Sequence, residues 1–269
     1  MSEAMTQEER LDYLIKVFKE ETEKYKDIDI PDDRVEKENL LRSFMNIRFP
    51  KELDEKILAV QNDYLRQCIL ETGIVKMEDI PVKKDKISIW QGDITRLEVN
   101  VIVNAANSKM LGCFIPLHKC IDNCIHSFAG IQLREECHKQ MEELRALHGG
   151  HYEQPTAKPM LTDAYNLPAR KVIHIVGPIV KDGLNEEQEK ELRDCYINTL
   201  EMCRKNNLRN VAFPCISTGV FRFPGRRAAE IAVETVTSWL EKNSESVDRI
   251  IFNVFKDEDK CYYETILKG

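Results

Sequence analysis

The 269-residue sequence predicts an α/β fold, a three-layer sandwich behind a small helical extension. Two observations predict it. From Lys86 onward, short runs rich in Val, Ile and Phe alternate with helix-like stretches, the rhythm of a sheet carrying helices on both faces. Several of those runs are apolar nearly throughout, as strands covered on both sides are. The composition agrees, because 42% hydrophobic and 32% charged residues suit a globular chain with ample material for a core.

Each element has its own reason. Residues 7–24 space Leu11, Leu14, Ile15 and Phe18 at helical intervals among charges, which predicts a first helix. "KDIDIPDD", with Pro31 among acids, interrupts it as a turn. A second helix is expected over 36–46. In "FPKELDEKILAVQNDYLRQCILETG", Leu53, Ile57, Tyr64 and Cys68 form one stripe, Pro50 suits a first helical turn, and Gly73 falls just past the end. These helices make a module over residues 1–80, with "PVKKD" as linker to a second domain over 86–269. There the strands are "KISIWQGD", "VNVIVNA", "KVIHIVGP", "NVAFPCIS" and "RIIFNVF". Helices are expected over 120–147, broken near Gly130, and over 186–206, 225–242 and 257–267.

No apolar run approaches the length needed to cross a bilayer, and the acidic opening "MSEAMTQEERLD" is unlike a signal peptide. A cytoplasmic location is therefore expected, with the nine cysteines mostly reduced. Cys68, Cys195, Cys203 and Cys261 fall in helical segments and read as small hydrophobes. A net charge of −7 argues against a DNA-binding face but leaves room for a small phosphate ligand held by backbone N–H groups.

In open α/β sheets, ligands bind beyond the carboxyl ends of the strands. Three such ends carry polar residues. "QGDIT" puts Asp93 just past a strand, either as a turn-capping acid or as an acceptor for a purine's exocyclic amine. "NAANS" puts Asn104 and Asn107 after a buried strand, as Asx-turn residues or, for Asn107, as a reader of sugar hydroxyls. "CISTGVFRFPG" supplies Ser217, Thr218 and Gly219 before a helix, and successive N–H groups in such a turn can form an anion-binding nest. No GK[ST] follows it, so it is not a Walker loop.

Taken together, "VNVIVNAANS", "IDNCIH", "KVIHIVGP" and "AFPCISTGVFRFP", in this order and spacing, resemble the macrodomain family over residues 86–268. The helical extension with "SFMNIRFP" and the Cys/His loop are similar to its zinc-containing branch. The resemblance implies a mostly parallel central mixed sheet and ADP-ribose as the ligand. It implies that Asp93 and the Ile94 backbone read adenine, that the backbone of Ser217, Thr218, Gly219 and Val220 cradles the diphosphate, and that Phe221 lies against the distal ribose. Asn107 would hold that ribose, and Asp122 would sit near the scissile bond. Cys120 would lie beside the substrate. The N–H groups of Ile121 and Asp122, opening a helix, suit a phosphate on their own account. Phe255, after the last strand, is a weaker candidate for stacking on adenine.

Macrodomains commonly carry a glycine run after NAANS. This chain has "LGCFIPLHKC" there, retaining Gly112 and gathering Cys113, His118 and Cys120, with Cys124 a helical turn further on. C-x4-H-x-C is not a standard finger spacing. A thiol-rich helix start without metal, a closed site that includes Cys124, and an open three-ligand site all remain readings of the residues. The open site is favoured because the loop faces the expected cleft, and the zinc-containing branch implies the same three ligands. One Zn2+ with a free position would then hold a substrate oxygen or bring the pKa of a water toward about 7.

These features predict a zinc-dependent hydrolase that removes mono-ADP-ribose from protein side chains at C1″ of the distal ribose, with Asn107 and Asp122 catalytic. A non-catalytic ADP-ribose reader, a hydrolase of ADP-ribose phosphate or O-acetyl-ADP-ribose, and a zinc-stabilised scaffold are the alternatives. The zinc-containing branch implies a lipoyl-carrier protein, modified by a sirtuin-like transferase, as partner; neither nucleic acid nor membrane is expected. His126 and His174, on apolar segments, read as core histidines. His138, His148 and His151 show no ligand pattern, and Arg222, Arg226 and Arg227 read as solvated surface.

Overall fold

The computed structural model describes residues 5–268, so the first four residues of the acidic opening stretch lie outside the described residues. Three helices come first: α1 (Gln7–Glu20), α2 (Arg34–Ile47) and α3 (Glu55–Thr72). Thr6 starts α1 with a capping box to Glu9, satisfying helix-end donors reciprocally. Leu11, Leu14, Ile15 and Phe18 of α1 pack with Leu41, Phe44 and Met45 of α2 and with Tyr64 and Leu65 of α3 into one cluster. Helix α3 begins later than Pro50, because Asp54 caps it by accepting from the Lys56 N–H.

The sheet region contains β1 (Val75–Lys76), β2 (Val82–Lys84), β3 (Ile87–Gln91), β4 (Leu97–Glu98), β5 (Val101–Ala106), β6 (Met160–Asp163), β7 (Lys171–Val176), β8 (Asn210–Phe213) and β9 (Arg249–Val254). Its helices are α4 (Ile121–Ala129), α5 (Ile131–His148), α6 (Glu186–Lys205), α7 (Gly225–Asn243) and α8 (Asp257–Lys268). Seven strands form one sheet in the order β2-β3-β9-β8-β5-β7-β6, and β1 pairs with β4 beside it. The strands from β3 to β7 in that order are all parallel, and the two edge strands β2 and β6 are antiparallel. The sheet is mixed and mostly parallel, flanked by helices, as the sequence predicts. Two elements differ from expectation. "PVKKD" is not a free linker, since Val82–Lys84 forms the β2 edge, and β6 adds a second edge that its weakly apolar run does not announce.

Alternation along each strand feeds two cores. Val101 and Val103 of β5 and Ile173 and Ile175 of β7 face the layer of α6, α7 and α8, where Tyr196, Phe213 and Ile231 are fully buried. Ile102 and Val172 face the opposite layer with Ile125 of α4 and Leu133, Cys137 and Met141 of α5. Each such side chain withdrawn from water is worth about 1.5–3 kcal/mol. Gly130, at a φ of 97°, separates α4 from α5 at the break that the sequence predicts.

The helical extension packs on α4 and α5 through polar as well as apolar contacts. The buried Gln61 donates to Gln132 Oε1 at 2.7 Å and accepts from the Ile131 N–H at 3.2 Å. No helix among the described residues is long and apolar enough to cross a membrane.

Candidate functional site

Parallel strands end on the same edge of the sheet, and here the order β3-β9-β8-β5 arrays the polar loops in a row. Asp93 follows β3, Phe255 follows β9, the Ser217 loop follows β8, and Asn107 follows β5. Neighbouring strands lie about 4.8 Å apart, so the row from β3 to β5 spans roughly 14 Å.

At the β5 end the structure brings Asn104, Asn107 and Asp122 together. Asn107 Nδ2 donates to Asp122 Oδ2 at 3.1 Å and to the Gly112 carbonyl at 3.1 Å. Asn104 Nδ2 donates to Asp122 Oδ1 at 2.8 Å and lies 3.0 Å from His174 Nδ1. Asp122 sits in the first turn of α4 with its side chain almost fully enclosed. Burial pushes its carboxyl up to about 6, against the lowering influence of Asn104, Arg134 and Asn107. The single glycine kept in the loop has a steric reason. Gly112 has a φ of 79°, and a Cβ there would lie 2.8 Å from the His126 ring.

Cys113, His118 and Cys120 carry donor atoms that all lie within 4.8 Å of one another. Cys113 Sγ is 3.4 Å from His118 Nδ1, close to the roughly 3.5–3.8 Å separating ligands on a tetrahedral zinc ion. The three are half-buried, open enough to receive both an ion and a further ligand. Cys120 also caps α4 by accepting from the Asn123 N–H, and burial followed by the adjacent Cys113 pushes its thiol up to about 12. Two sulfurs and an imidazole nitrogen at this spacing form a donor set that fits zinc. Cys124 is not part of the group, and its Sγ lies 3.5 Å from Arg42 Nη2.

A second group of donors, His126, Cys137 and His174, is fully buried. The ring of His174 already has partners on both sides, Asn104 at Nδ1 and Thr162 Oγ1 at 3.0 Å from Nε2. His174 is the core histidine expected from its strand, and burial lowers its pKa to about 3. Burial and the neighbouring His174 and Arg134 hold His126 well below the ordinary histidine range. Both histidines stay neutral in the fold but titrate near 6.5 when unfolded. The unfolded chain therefore binds more protons below pH 6.5, and each histidine withdraws about 1.4 kcal/mol of stability per pH unit of acidification. The raised carboxyl of Asp122 acts oppositely between about pH 6 and 4, offsetting one of the two. Denaturant unfolding at pH 6 and pH 5 should therefore show a net loss on the order of 1.4 kcal/mol at the lower pH.

The Ser217 loop lies beside this centre. Ser217 is buried at a φ of 66°, its carbonyl accepts from the Phe223 N–H at 2.9 Å, and Gly219 and Val220 are exposed. Thr218 Oγ1 donates to the Cys215 carbonyl at 3.0 Å, and the Phe221 carbonyl accepts from the Val180 N–H at 2.9 Å. Phe221 is partly buried against the core layer that holds Met110 and Ile125. Gly177, at the end of β7, is what lets this loop close, because a Cβ there would fall 2.1 Å from Ser217 Oγ.

At the far end, Asp93 caps the 3-10 turn Ile94–Arg96, accepting from the Thr95 N–H at 3.0 Å and from Thr95 Oγ1 at 2.7 Å. Asn253 of β9 fixes the same turn by donating to the Gly92 carbonyl at 2.9 Å. Phe255 is 77% exposed beside it. Arg227 is not a free surface cation, since it grips both oxygens of Glu189 at 2.7 and 2.8 Å.

The reading from sequence passes over Arg134. The residue is 5% exposed, and its guanidinium donates to the carbonyls of Leu111, Met45 and Arg48 and lies 4.3 Å from the Phe114 ring centre. A signal for it exists in the sequence, because Ile131, Arg134, Cys137 and Met141 fall on one helical stripe, and a charge on an apolar stripe marks a satisfied buried cation. Arg134→Met should destabilise the fold by about 3 kcal/mol, leaving three carbonyls and Asp122 without their cation. Equilibrium unfolding measures it.

Comparison with known proteins agrees with this fold. Residues 103–232 match the family described as Macro domain. A protein named protein-ADP-ribose hydrolase from Treponema medium is 43% identical over 267 residues, covering 98% of this chain and all of that one. A protein of the same name from Staphylococcus aureus is 38% identical, covering 96% of this chain and 95% of its own length. Among solved structures, a macrodomain variant from Oceanobacillus iheyensis with ADPR is similar at a TM-score of 0.60 and 36% identity, covering 70% of this chain and 96% of that one. A Trypanosoma brucei macrodomain in complex with ADP-ribose superimposes at a TM-score of 0.63 with 26% identity over 83% of this chain and 94% of its own. This chain belongs to the macrodomain family.

Proposed function

We propose that the chain is a protein-ADP-ribose hydrolase of the zinc-containing macrodomain branch, releasing mono-ADP-ribose by cleavage at C1″ of the distal ribose. One observation carries the reading. The Asn107 amide paired with the Asp122 carboxylate and the Cys113, His118 and Cys120 donors sit on one stretch of chain, where the loop after β5 meets α4. Relatives matched along nearly the whole length are named protein-ADP-ribose hydrolase.

In this reading the ligand runs along the row of strand ends. Asp93 and the Ile94 N–H take the adenine edge, and the backbone of Ser217, Thr218, Gly219 and Val220 takes the diphosphate. Phe221 and Asn107 fix the distal ribose, while the N–H groups of Ile121 and Asp122 at the start of α4 hold an adjacent oxygen. Cys113, His118 and Cys120 would hold the metal. When bound, zinc supplies a Lewis-acidic centre for a substrate oxygen or for a water. Asp122, aimed by Asn104 and Asn107, aligns the attacking water and takes its proton. The water oxygen bonds to C1″, the bond to the protein side chain breaks, and the leaving atom takes up a proton.

The substrate is a mono-ADP-ribosylated protein in the cytoplasm, a lipoyl-carrier protein being the target suggested by the branch. The assay is release of ADP-ribose from such a protein, run beside ADP-ribose binding by calorimetry. Release supports the hydrolase. Tight binding with no release makes the chain a reader, and release only from ADP-ribose phosphate or O-acetyl-ADP-ribose makes it a small-molecule hydrolase.

A further inference from the structure

The Cys/His loop is not held only by the domain it belongs to. Leu117 and His118 lie between two peptide groups that are both gripped from α2, in the helical extension. On one side, Asn46 Oδ1 accepts from the Leu117 N–H at 3.0 Å. On the other, Arg42 Nη2 donates to the His118 carbonyl at 3.2 Å. Asn46 is 1% exposed and is itself fixed, its Nδ2 donating to Ser127 Oγ of α4 at 2.8 Å.

The grip extends to the other end of the loop. Arg42 Nη2 also donates to Asn123 Oδ1 at 2.9 Å. The Nδ2 of that asparagine donates in turn to the carbonyls of Cys113 and Ile115, at 3.2 and 2.9 Å. Leu117 needs such a restraint, because it stands at a φ of 56°, a region that a branched-chain residue leaves readily when nothing holds it. Arg42 and Asn46 touch neither the donor atoms nor the strand-end row.

We propose that Arg42 and Asn46 are positioning residues for metal binding. In this arrangement α2 clamps the peptides on either side of the Leu117–His118 pair and, through Asn123, the carbonyl of Cys113, so that the three donors are preset before an ion arrives. The inference rests on the zinc reading above and deepens it. The helical extension becomes part of the metal centre, and the order of its helices sets how tightly the loop holds the ion. Residues that orient ligands without touching the metal commonly change affinity by about 10–100-fold when lost.

The test uses the full chain with Asn46→Ala, Arg42→Ala and Arg42→Lys, each checked for folding by circular dichroism in the metal-free form. Arg34→Ala serves as a control on the same helix, since Arg34 forms only exposed pairs with Glu38 and Glu71. Zinc affinity is read by competition with a chromophoric chelator, and ligand geometry by the visible spectrum of bound cobalt. The expected result is a fall of about 10–100-fold in affinity for Asn46→Ala and Arg42→Ala with an altered cobalt spectrum. Arg34→Ala should match wild type. Arg42→Lys should recover most of the loss, because one amine can replace the single nitrogen that makes these contacts. Should Asn46→Ala fail to fold, the Arg42 pair decides alone. Wild-type affinity and an unchanged cobalt spectrum in folded Asn46→Ala and Arg42→Ala would overturn the inference while leaving the zinc reading intact. Failure of the wild type itself to hold zinc or cobalt would overturn both.

Discussion

Cys113→Ala should abolish release of ADP-ribose from a modified protein while leaving the chain folded. The substitution removes one of the three donors proposed for the metal, and two ligands from a half-buried loop do not hold zinc against competing water. Loss of the ion removes several kcal/mol of charge stabilisation from the transition state, roughly a thousandfold or more in rate. The fold should survive because the loop is fixed through the Cys113 carbonyl, which accepts from Asn123, and not through its sulfur. Metal content by atomic spectroscopy, circular dichroism and the release assay together check the result. Retained binding of ADP-ribose in the variant is also expected, since the residues proposed for adenine and diphosphate lie on other strand ends.

Asp122→Ala should behave differently. A positioned general base contributes about 10²–10⁴-fold, so the variant should keep a measurable residual rate with its zinc still bound. Because Asp122 accepts from both Asn104 and Asn107, its removal also takes a partner from the buried Asn104 amide, at about 1–3 kcal/mol of stability, and one bond from the half-buried Asn107. The informative comparison is therefore between turnover with saturating substrate and the melting temperature. A drop in turnover at full zinc content, larger than Asn107→Ala produces, identifies the carboxylate with proton transfer. Equal turnover in Asp122→Ala and wild type would leave the carboxylate a structural group.

Much of this centre was legible in the sequence because its parts are local. Asn104, Asn107, Cys113, His118, Cys120 and Asp122 all fall between the end of β5 and the first turn of α4, so spacing alone brings them near one another. The parallel strands were legible from their apolar runs, and the break at Gly130 from a glycine inside a helical pattern. The edge strands β2 and β6 were not, because an edge needs only one covered face and "VKK" is exposed along its whole length. Arg42 and Asn46 escaped for a different reason. Each acts on a backbone carbonyl or amide far away in sequence, and such contacts leave no spacing rule behind. The same holds for Gly177, whose role is to leave room for Ser217 on a neighbouring loop.

The measurement that bears most directly on the central claim is a zinc titration of the metal-free, folded wild-type chain, with ADP-ribose release recorded at each addition. Release should be absent at the start, rise in proportion to bound zinc, and level off at one ion per chain. Full turnover by the metal-free protein, with no change on adding zinc, would contradict a metal-dependent hydrolase and leave the cysteine–histidine loop without a catalytic part.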